Sequence, residues 1–277
     1  MLMLRRDLAQ AWQGEDVFAR VQAQQGQLYR ALEGRRTLRF ELHGQPYFLK
    51  LHQGVGWGEI FKNLIQLRWP VLGAGSEYRA IRALERLGID TLTVAGYGRR
   101  GCNPARQLSF LITDALQQVW SLEELGEQWR QSPPPPAFKH ALIARVAEVA
   151  RRMHEAGINH RDFYLCHFLL PQAALGPRLA PDQPLYLMDL HRAQIRQRVP
   201  RRWRVKDLGG LYYSALDLGL TPRDMLRFVR HYQGGQLPRG RQWQLWRSVR
   251  RRALRTYRRD LGRRPSCPAW TGLEPRP

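Results

Sequence analysis

The chain has 277 residues, 43% of them hydrophobic and nine of them Trp, which excludes a disordered polypeptide and suits one large domain or two packed lobes. Lys and Arg number 45 against 23 Asp and Glu, a formal net charge of +22, so the protein seeks polyanions: nucleic acid, an anionic lipid surface, a phosphorylated glycan or an acidic protein. Cys102, Cys166 and Cys267 are widely spaced and form no Cys-x-x-Cys pattern, which argues against a disulfide framework or zinc site and fits a reducing cytoplasm.

The N-terminal stretch has no apolar signal region, and no run of about 18 apolar residues occurs, so neither secretion nor membrane spanning is indicated. Residues 16 to 32 begin as a helical pattern and then lose it. From Thr37, Leu38, Phe40 and Leu42 alternate with Arg39 and Glu41, the period of a half-buried strand. His43 to Pro46 supplies a turn, and Tyr47 to Leu51 completes a hairpin in which Lys50 is a cation inside an otherwise apolar strand. Glu59 to Trp69 reads as an amphipathic helix with a basic flank.

Ser76 reads as the N-cap of a helix to Leu87, closed by Gly88. Glu77 falls beside its apolar stripe of Ile81, Leu84 and Leu87, and a buried carboxylate needs a partner, for which Lys50 is the natural candidate. Thr91–Ala95 and Leu108–Thr113 are two further strand candidates, joined by a turn rich in Gly and Arg. The first third therefore reads as an antiparallel sheet with one or two helices.

Ser121 to Glu124 is a capping box, and Ser132 to Pro136 a rigid extended spacer. Phe138 to Ala156 is the clearest helix, closed by Gly157. Phe168–Leu170 and Leu185–Leu190 form another hairpin, with Asp189 at its end. A basic run from Arg192 to Lys206 precedes two helices, Asp207–Leu218 and Thr221–Tyr232, the second with Thr221 at its N-cap and Pro222 at its first position. Gln242 to Leu261 is an arginine-rich helix, followed by a loose tail from Gly262.

His160-Arg161-Asp162 lies in a loop between the long helix and an apolar strand, the setting of the protein-kinase catalytic loop His-Arg-Asp-Leu-x-x-x-Asn. There the Asp accepts the proton of the attacking hydroxyl and the Asn holds a metal ion. Asp162 takes the base position, and His167 stands in place of the Asn with nitrogen where magnesium prefers oxygen. Lys50, Glu77, Asp162 and Asp189 follow in kinase order: a lysine for the nucleotide phosphates, its glutamate partner, the base and a metal-ligating aspartate. No Gly-x-Gly-x-x-Gly occurs; Gly34, with Arg35 and Arg36, lies where the phosphate loop belongs. No Ala-Pro-Glu follows Asp189, which points to a non-protein acceptor.

Several segments resemble the lipopolysaccharide inner-core heptose(I) kinase family of Gram-negative bacteria. They are Thr37 to Glu41, Tyr47 to Lys50, Gly157 to Asp162, Cys166 to Leu170, Asp189 to Gln194, Val199 to Arg204 and Lys206 to Leu208. The resemblance runs from the N-terminus to about Tyr232. It implies an α+β, protein-kinase-like bilobal fold, with an antiparallel-sheet N-lobe over residues 1–115 and a mainly helical C-lobe over residues 116–277. It implies ATP and Mg²⁺, and phosphorylation of the first heptose at O4 on the cytoplasmic face of the inner membrane. It assigns the base role to Asp162, with Arg161 beside it, and likens Asp207 to the buried aspartate that braces the catalytic loop.

The acceptor implied is a glycolipid bearing phosphates and acidic sugars in an anionic leaflet, which gives the basic surplus a purpose. Arg196, Arg198, Arg201, Arg202 and Arg204 are the candidate acceptor contacts, with the Arg247–Arg259 helix as a second basic surface. Peripheral membrane contact and an acidic protein partner fit the same charge; nucleic acid does not fit this reading. The competing readings are a kinase for Kdo or for protein tyrosines, and a catalytically dead, basic nucleic-acid-binding protein.

Overall fold

The computed structural model describes residues 1–32, 34–54, 56–58, 73–103, 105–263 and 265. The helix expected over 59–69 lies outside the described residues. The chain divides into two compact units. One comprises residues 1–83, 92–117 and 190–192, the other 84–91, 118–189 and 193–277.

The first unit is built on a six-stranded sheet. In chain order its strands and helices are β1 (Leu2–Leu4), α1 (Arg6–Ala11), α2 (Val17–Ala23), β2 (Gln27–Leu32), β3 (Arg35–Leu42), β4 (Gln45–His52), α3 (Gly75–Arg86), β5 (Val94–Arg100) and β6 (Leu108–Asp114). The sheet order is β1-β5-β6-β4-β3-β2, and every neighbouring pair is antiparallel.

Period-two patterning sets its two faces. Leu38 and Phe40 of β3, Tyr47, Leu49 and Leu51 of β4, and Phe110 and Ile112 of β6 point together into a core closed by Leu8, Trp12 and Phe18 from α1 and α2. Each such side chain contributes about 1.5–3 kcal/mol by leaving water. Arg5 ties this core's margin, donating hydrogen bonds to both Asp7 and Asp114, while the Tyr47 hydroxyl donates to Asp7 at 2.6 Å.

Three expectations change here. The second half of residues 16–32 is the edge strand β2, whose Leu28 and Tyr29 remain more than half exposed. Ser76 is the second residue of α3 rather than its cap, and its hydroxyl donates to the His191 carbonyl. The Gly- and Arg-rich segment is strand, not turn: β5 begins at Val94 and runs through it to Arg100. A Cβ on Gly98 would enter the Phe110 ring, so the glycine that suggests a turn is a packing requirement of the strand.

The second unit is mainly helical. Its elements are β7 (Val119–Ser121), α4 (Leu122–Trp129), α5 (Pro136–Glu155), β8 (Ile158–Asn159), β9 (Phe168–Pro171), β10 (Tyr186–Leu187), β11 (Gln194–Ile195), α6 (Arg201–Ser214), α7 (Pro222–Tyr232) and α8 (Trp243–Leu261). β9 lies between β7 and β10, and β8 pairs with β11. The capping boxes Ser121/Glu124 and Thr221/Asp224 form as their spacing predicts.

α5 begins at Pro136, at the end of the proline run, because the missing N–H of proline costs nothing in a first turn. Leu142, Val146, Val149 and Met153 lie on its buried side. Helix α6 starts six residues before the expected Asp207, so half of the basic run is helix. The α+β class read from the sequence holds, with an antiparallel sheet in the first unit and a mainly helical second unit. No helix among the described residues is long and apolar enough to cross a membrane.

Candidate active site

In the first unit, the alternation that buries Leu49 and Leu51 turns Lys50 to the opposite face of the sheet, across from Thr37 on β3 and Leu111 on β6. Glu77, in the first turn of α3, reaches that face. Its Oε1 accepts a hydrogen bond from Lys50 Nζ at 2.6 Å, and the two side chains are 2% and 16% exposed. The sequence therefore located both partners of a nearly buried ion pair. Removing one partner of such a pair strands a charge in a poorly solvated place.

Gly34 sits in the β2–β3 turn with φ of 67°, its carbonyl accepting from the Gln53 amide. Arg35 opens β3 opposite His52, which places Arg35, Thr37, Lys50 and His52 on one sheet face. His52 is buried, and its pKa is pushed down to about 3, first by desolvation and then by Arg35, Lys50 and His191. Basic groups thus converge where a phosphate-binding face is expected. His52 had no signal of its own, since a histidine closing a strand reads as a turn residue.

In the second unit, the loop carrying His160-Arg161-Asp162 is fixed from below by Asp207 of α6. Fully buried, Asp207 accepts the backbone amide of His160 through Oδ2 at 2.7 Å and that of Arg161 through Oδ1 at 2.8 Å. The His154 Nε2 lies 3.3 Å from the same carboxylate, and its Nδ1 lies 2.9 Å from the Tyr232 hydroxyl. His160 is also fully buried; its Nε2 donates to the Met188 carbonyl at 2.9 Å, and desolvation holds its pKa below the usual histidine value. The brace inferred for Asp207 is thus a pair of charge-assisted hydrogen bonds to the loop backbone.

This hold imposes uncommon backbone geometry. Arg161 has φ of 76° and Asp189 φ of 61°, conformations that cost a non-glycine residue on the order of 1–2 kcal/mol. Before the loop, Gly157 ends α5 at φ of 80° against the Arg196 carbonyl, where no Cβ would fit. Asp189 follows β10 rather than ending it, at the entry to a single 3₁₀ turn, Leu190–Arg192.

His167 comes close to both aspartates. Its Nδ1 donates to the backbone carbonyl of Asp162 at 2.7 Å, and its Nε2 lies 3.5 Å from Asp189 Oδ2. No group of three or more metal-ligating side chains occurs among the described residues. Magnesium, however, is commonly held by one or two carboxylates plus substrate phosphates and water, and Asp189 fits that pattern as the oxygen donor. His167 fits less well as a magnesium ligand, and its Nδ1 hydrogen bond gives it a second task, tying Asp162 to the strand that follows.

The five arginines read as one anion-binding group separate in the structure. Arg196 donates to Asn159 Oδ1 at 2.7 Å and stands over the Trp203 ring, as does Arg202. Arg201 binds α8 through the Gln244 carbonyl and the Ser248 hydroxyl. Arg204 faces Tyr232, whose pKa is pushed up to about 12, chiefly by burial. Arg198 is exposed between β11 and α6. Joining Arg196 and Arg202 at Trp203 are Arg161 and Lys206, and Lys206 Nζ lies 3.9 Å from Asp162 Oδ1. Starting the helix at Asp207 hid that grouping, because only a helix from Arg201 puts Trp203 and Lys206 on one face three residues apart.

The sequence model of the lipopolysaccharide kinase (Kdo/WaaP) family matches residues 19–232. The lipopolysaccharide core heptose(I) kinase WaaP of Pseudomonas aeruginosa is 52% identical over 231 residues, 83% of this chain and 85% of its own. Its counterpart from Escherichia coli is 50% identical over 234 residues, 84% and 88% of the two chains. A solved structure of WaaP in complex with acyl carrier protein is 44% identical and superposes with a TM-score of 0.78, covering 93% of this chain and 99% of that one. On this extent and identity, the chain belongs to the lipopolysaccharide kinase (Kdo/WaaP) family.

Proposed function

We propose that the protein is an ATP-dependent kinase of the lipopolysaccharide inner core that phosphorylates the first heptose at O4. The observation that carries this reading is the catalytic loop: Asp162 on a strained turn clamped by Asp207, with Asp189 beside His167, in a chain half identical to heptose(I) kinases. The base accepts the acceptor hydroxyl proton as the sugar oxygen bonds to the γ-phosphorus and ADP leaves with the electrons of the broken P–O bond. Such chemistry asks the protein for positioning and charge rather than covalent help.

Residues 1–115 form the nucleotide lobe in this reading and residues 116–277 the acceptor lobe. Lys50, held by Glu77, neutralises the nucleotide phosphates, and Gly34 with Arg35 supplies the turn that approaches them. Asp189 would hold magnesium, with His167 beside it. Bound magnesium supplies charge neutralisation at the transferring phosphate. Arg161 steadies the loop that carries the base.

The basic surplus brings the enzyme to the cytoplasmic face of the inner membrane, where the glycolipid acceptor resides. An acidic protein partner fits the same surplus, in keeping with the acyl carrier protein bound by the solved relative. The test is to incubate the protein with ATP, Mg²⁺ and defined core acceptors and to locate the phosphate by mass spectrometry. Phosphate on O4 of the first heptose supports the reading; phosphate on Kdo or on the protein's tyrosines alone overturns it.

A further inference from the structure

Four cations surround one indole at the start of α6. The charged ends of Arg161, Arg202, Arg196 and Lys206 lie 5.0, 5.5, 5.7 and 5.7 Å from the Trp203 ring centre. They come from three separate segments: the catalytic loop, the stretch after β11, and the first two turns of α6. Cation–π attraction offsets part of their mutual repulsion, at about 0.5–2 kcal/mol each.

The helix end on which they gather makes the arrangement electrostatically costly. A helix N-terminus carries partial positive charge and is normally relieved by a side-chain cap or an acid in its first turn. α6 has neither: its N-cap is Pro200, no side chain caps it, and its first turn begins Arg201-Arg202. The indole N–H of Trp203 is buried and lacks a hydrogen-bond partner. Folding alone does not favour stacking cations on the positive end of a helix; an arriving anion repays it.

We propose that Arg161, Arg196, Arg202 and Lys206, arrayed about Trp203 at the uncapped end of α6, form a subsite for an anionic substituent of the acceptor, a phosphate or a carboxylate. The subsite lies beside the base, since Lys206 Nζ is 3.9 Å from Asp162 Oδ1. It deepens the kinase reading and rests on it. Its role is to recognise an acidic group on the acceptor and so to present the neighbouring hydroxyl to Asp162. Arg201 and Arg204 have no part in it, being engaged with α8 and Tyr232.

The test uses Arg202→Ala, because Arg202 is exposed, with the fold of the variant checked by circular dichroism. Three acceptors are compared: de-O-acylated inner-core oligosaccharide, the same after phosphatase treatment, and the same after carboxyl reduction. Losing one charge-assisted contact raises KM for the untreated acceptor by about tenfold or more, with the KM for ATP unchanged. Arg202→Lys recovers part of the loss.

The acceptor lacking the recognised group binds wild type and variant equally weakly, so indifference after phosphatase treatment identifies a phosphate and indifference after reduction a carboxylate. An unchanged KM, or the same rise with all three acceptors, overturns the subsite. Calorimetric binding of the same oligosaccharides separates this from the kinase reading: if wild type transfers no phosphate yet discriminates among them, and Arg202→Ala does not, the reading fails and the subsite stands.

Discussion

The two units carry their charges in opposite ways. In the first, Lys50 meets Glu77 at 2.6 Å beneath the surface, and the pair is close to neutral before any ligand arrives. In the second, Asp162 lies 3.9 Å from Lys206 and Asp189 3.5 Å from His167, with Arg161 and Asp189 at positive φ and Arg161, Arg196, Arg202 and Lys206 gathered about Trp203. A self-compensated pair costs little to keep and positions one cation firmly. A strained, cation-rich loop is stable only because the scaffold over-determines it, and it gains most when substrate brings negative charge. In the proposed function the first acts as a fixed anchor and the second as a poised reaction centre, so substitutions in the two should fail differently.

The largest effect belongs to the reaction centre. Asp189→Ala should lower kcat by about 10² to 10⁴ with the melting temperature nearly unchanged, measured by phosphate transfer and calorimetry in parallel. In the anchor, stability should fall together with activity: Lys50→Ala leaves Glu77 buried and unpaired, at a cost of about 3–5 kcal/mol in denaturant unfolding. The double variant Lys50→Met with Glu77→Leu should recover most of that stability and none of the activity. If it recovers activity, the pair is structural only.

Asp207→Ala should cost about 1–3 kcal/mol, because two buried amides lose their acceptor, and should also lower kcat as the loop loses its register. The smallest effect is one of pH. The His52 pKa lies below its unfolded value, so the unfolded chain binds the extra proton first. The contribution of His52 to stability is present above pH 6.5 and is lost progressively as pH falls toward 3. Arg35, Lys50 and His191 face the ring and oppose its protonation. His52→Phe should flatten this slope in acid-unfolding curves, whereas a slope unchanged by that variant would assign the acid sensitivity elsewhere.

What could be read from the sequence follows the same division of physics. β3 and β4 were legible because Leu38, Phe40, Leu49 and Leu51 alternate with less buried neighbours, and β6 because it is a short apolar run buried on both faces from Ser109 to Thr113. β2 was not: it is an edge strand with Leu28 and Tyr29 exposed, and a strand that buries neither face has no period to read. In β5 the signal misled, since Gly98 serves the Phe110 ring rather than a bend.

Lys50 and Glu77 could be paired from sequence because a buried charge demands a partner. The grouping at Trp203 could not, because the helix begins at Arg201 rather than Asp207, Arg161 comes from a distant loop, and an arginine run looks alike whether solvated or assembled. Asp207 came from family resemblance, and only the structure shows how it acts: one carboxylate oxygen for each of two successive loop amides.

The contrast between anchor and reaction centre meets its most direct test in Asp162→Ala. With wild type and variant matched in fold by circular dichroism and in nucleotide affinity, the account predicts that transfer of phosphate to the inner-core heptose slows by about 10² to 10⁴. Transfer within threefold of wild type would contradict it, for a loop held by Asp207 would then be presenting something other than the base.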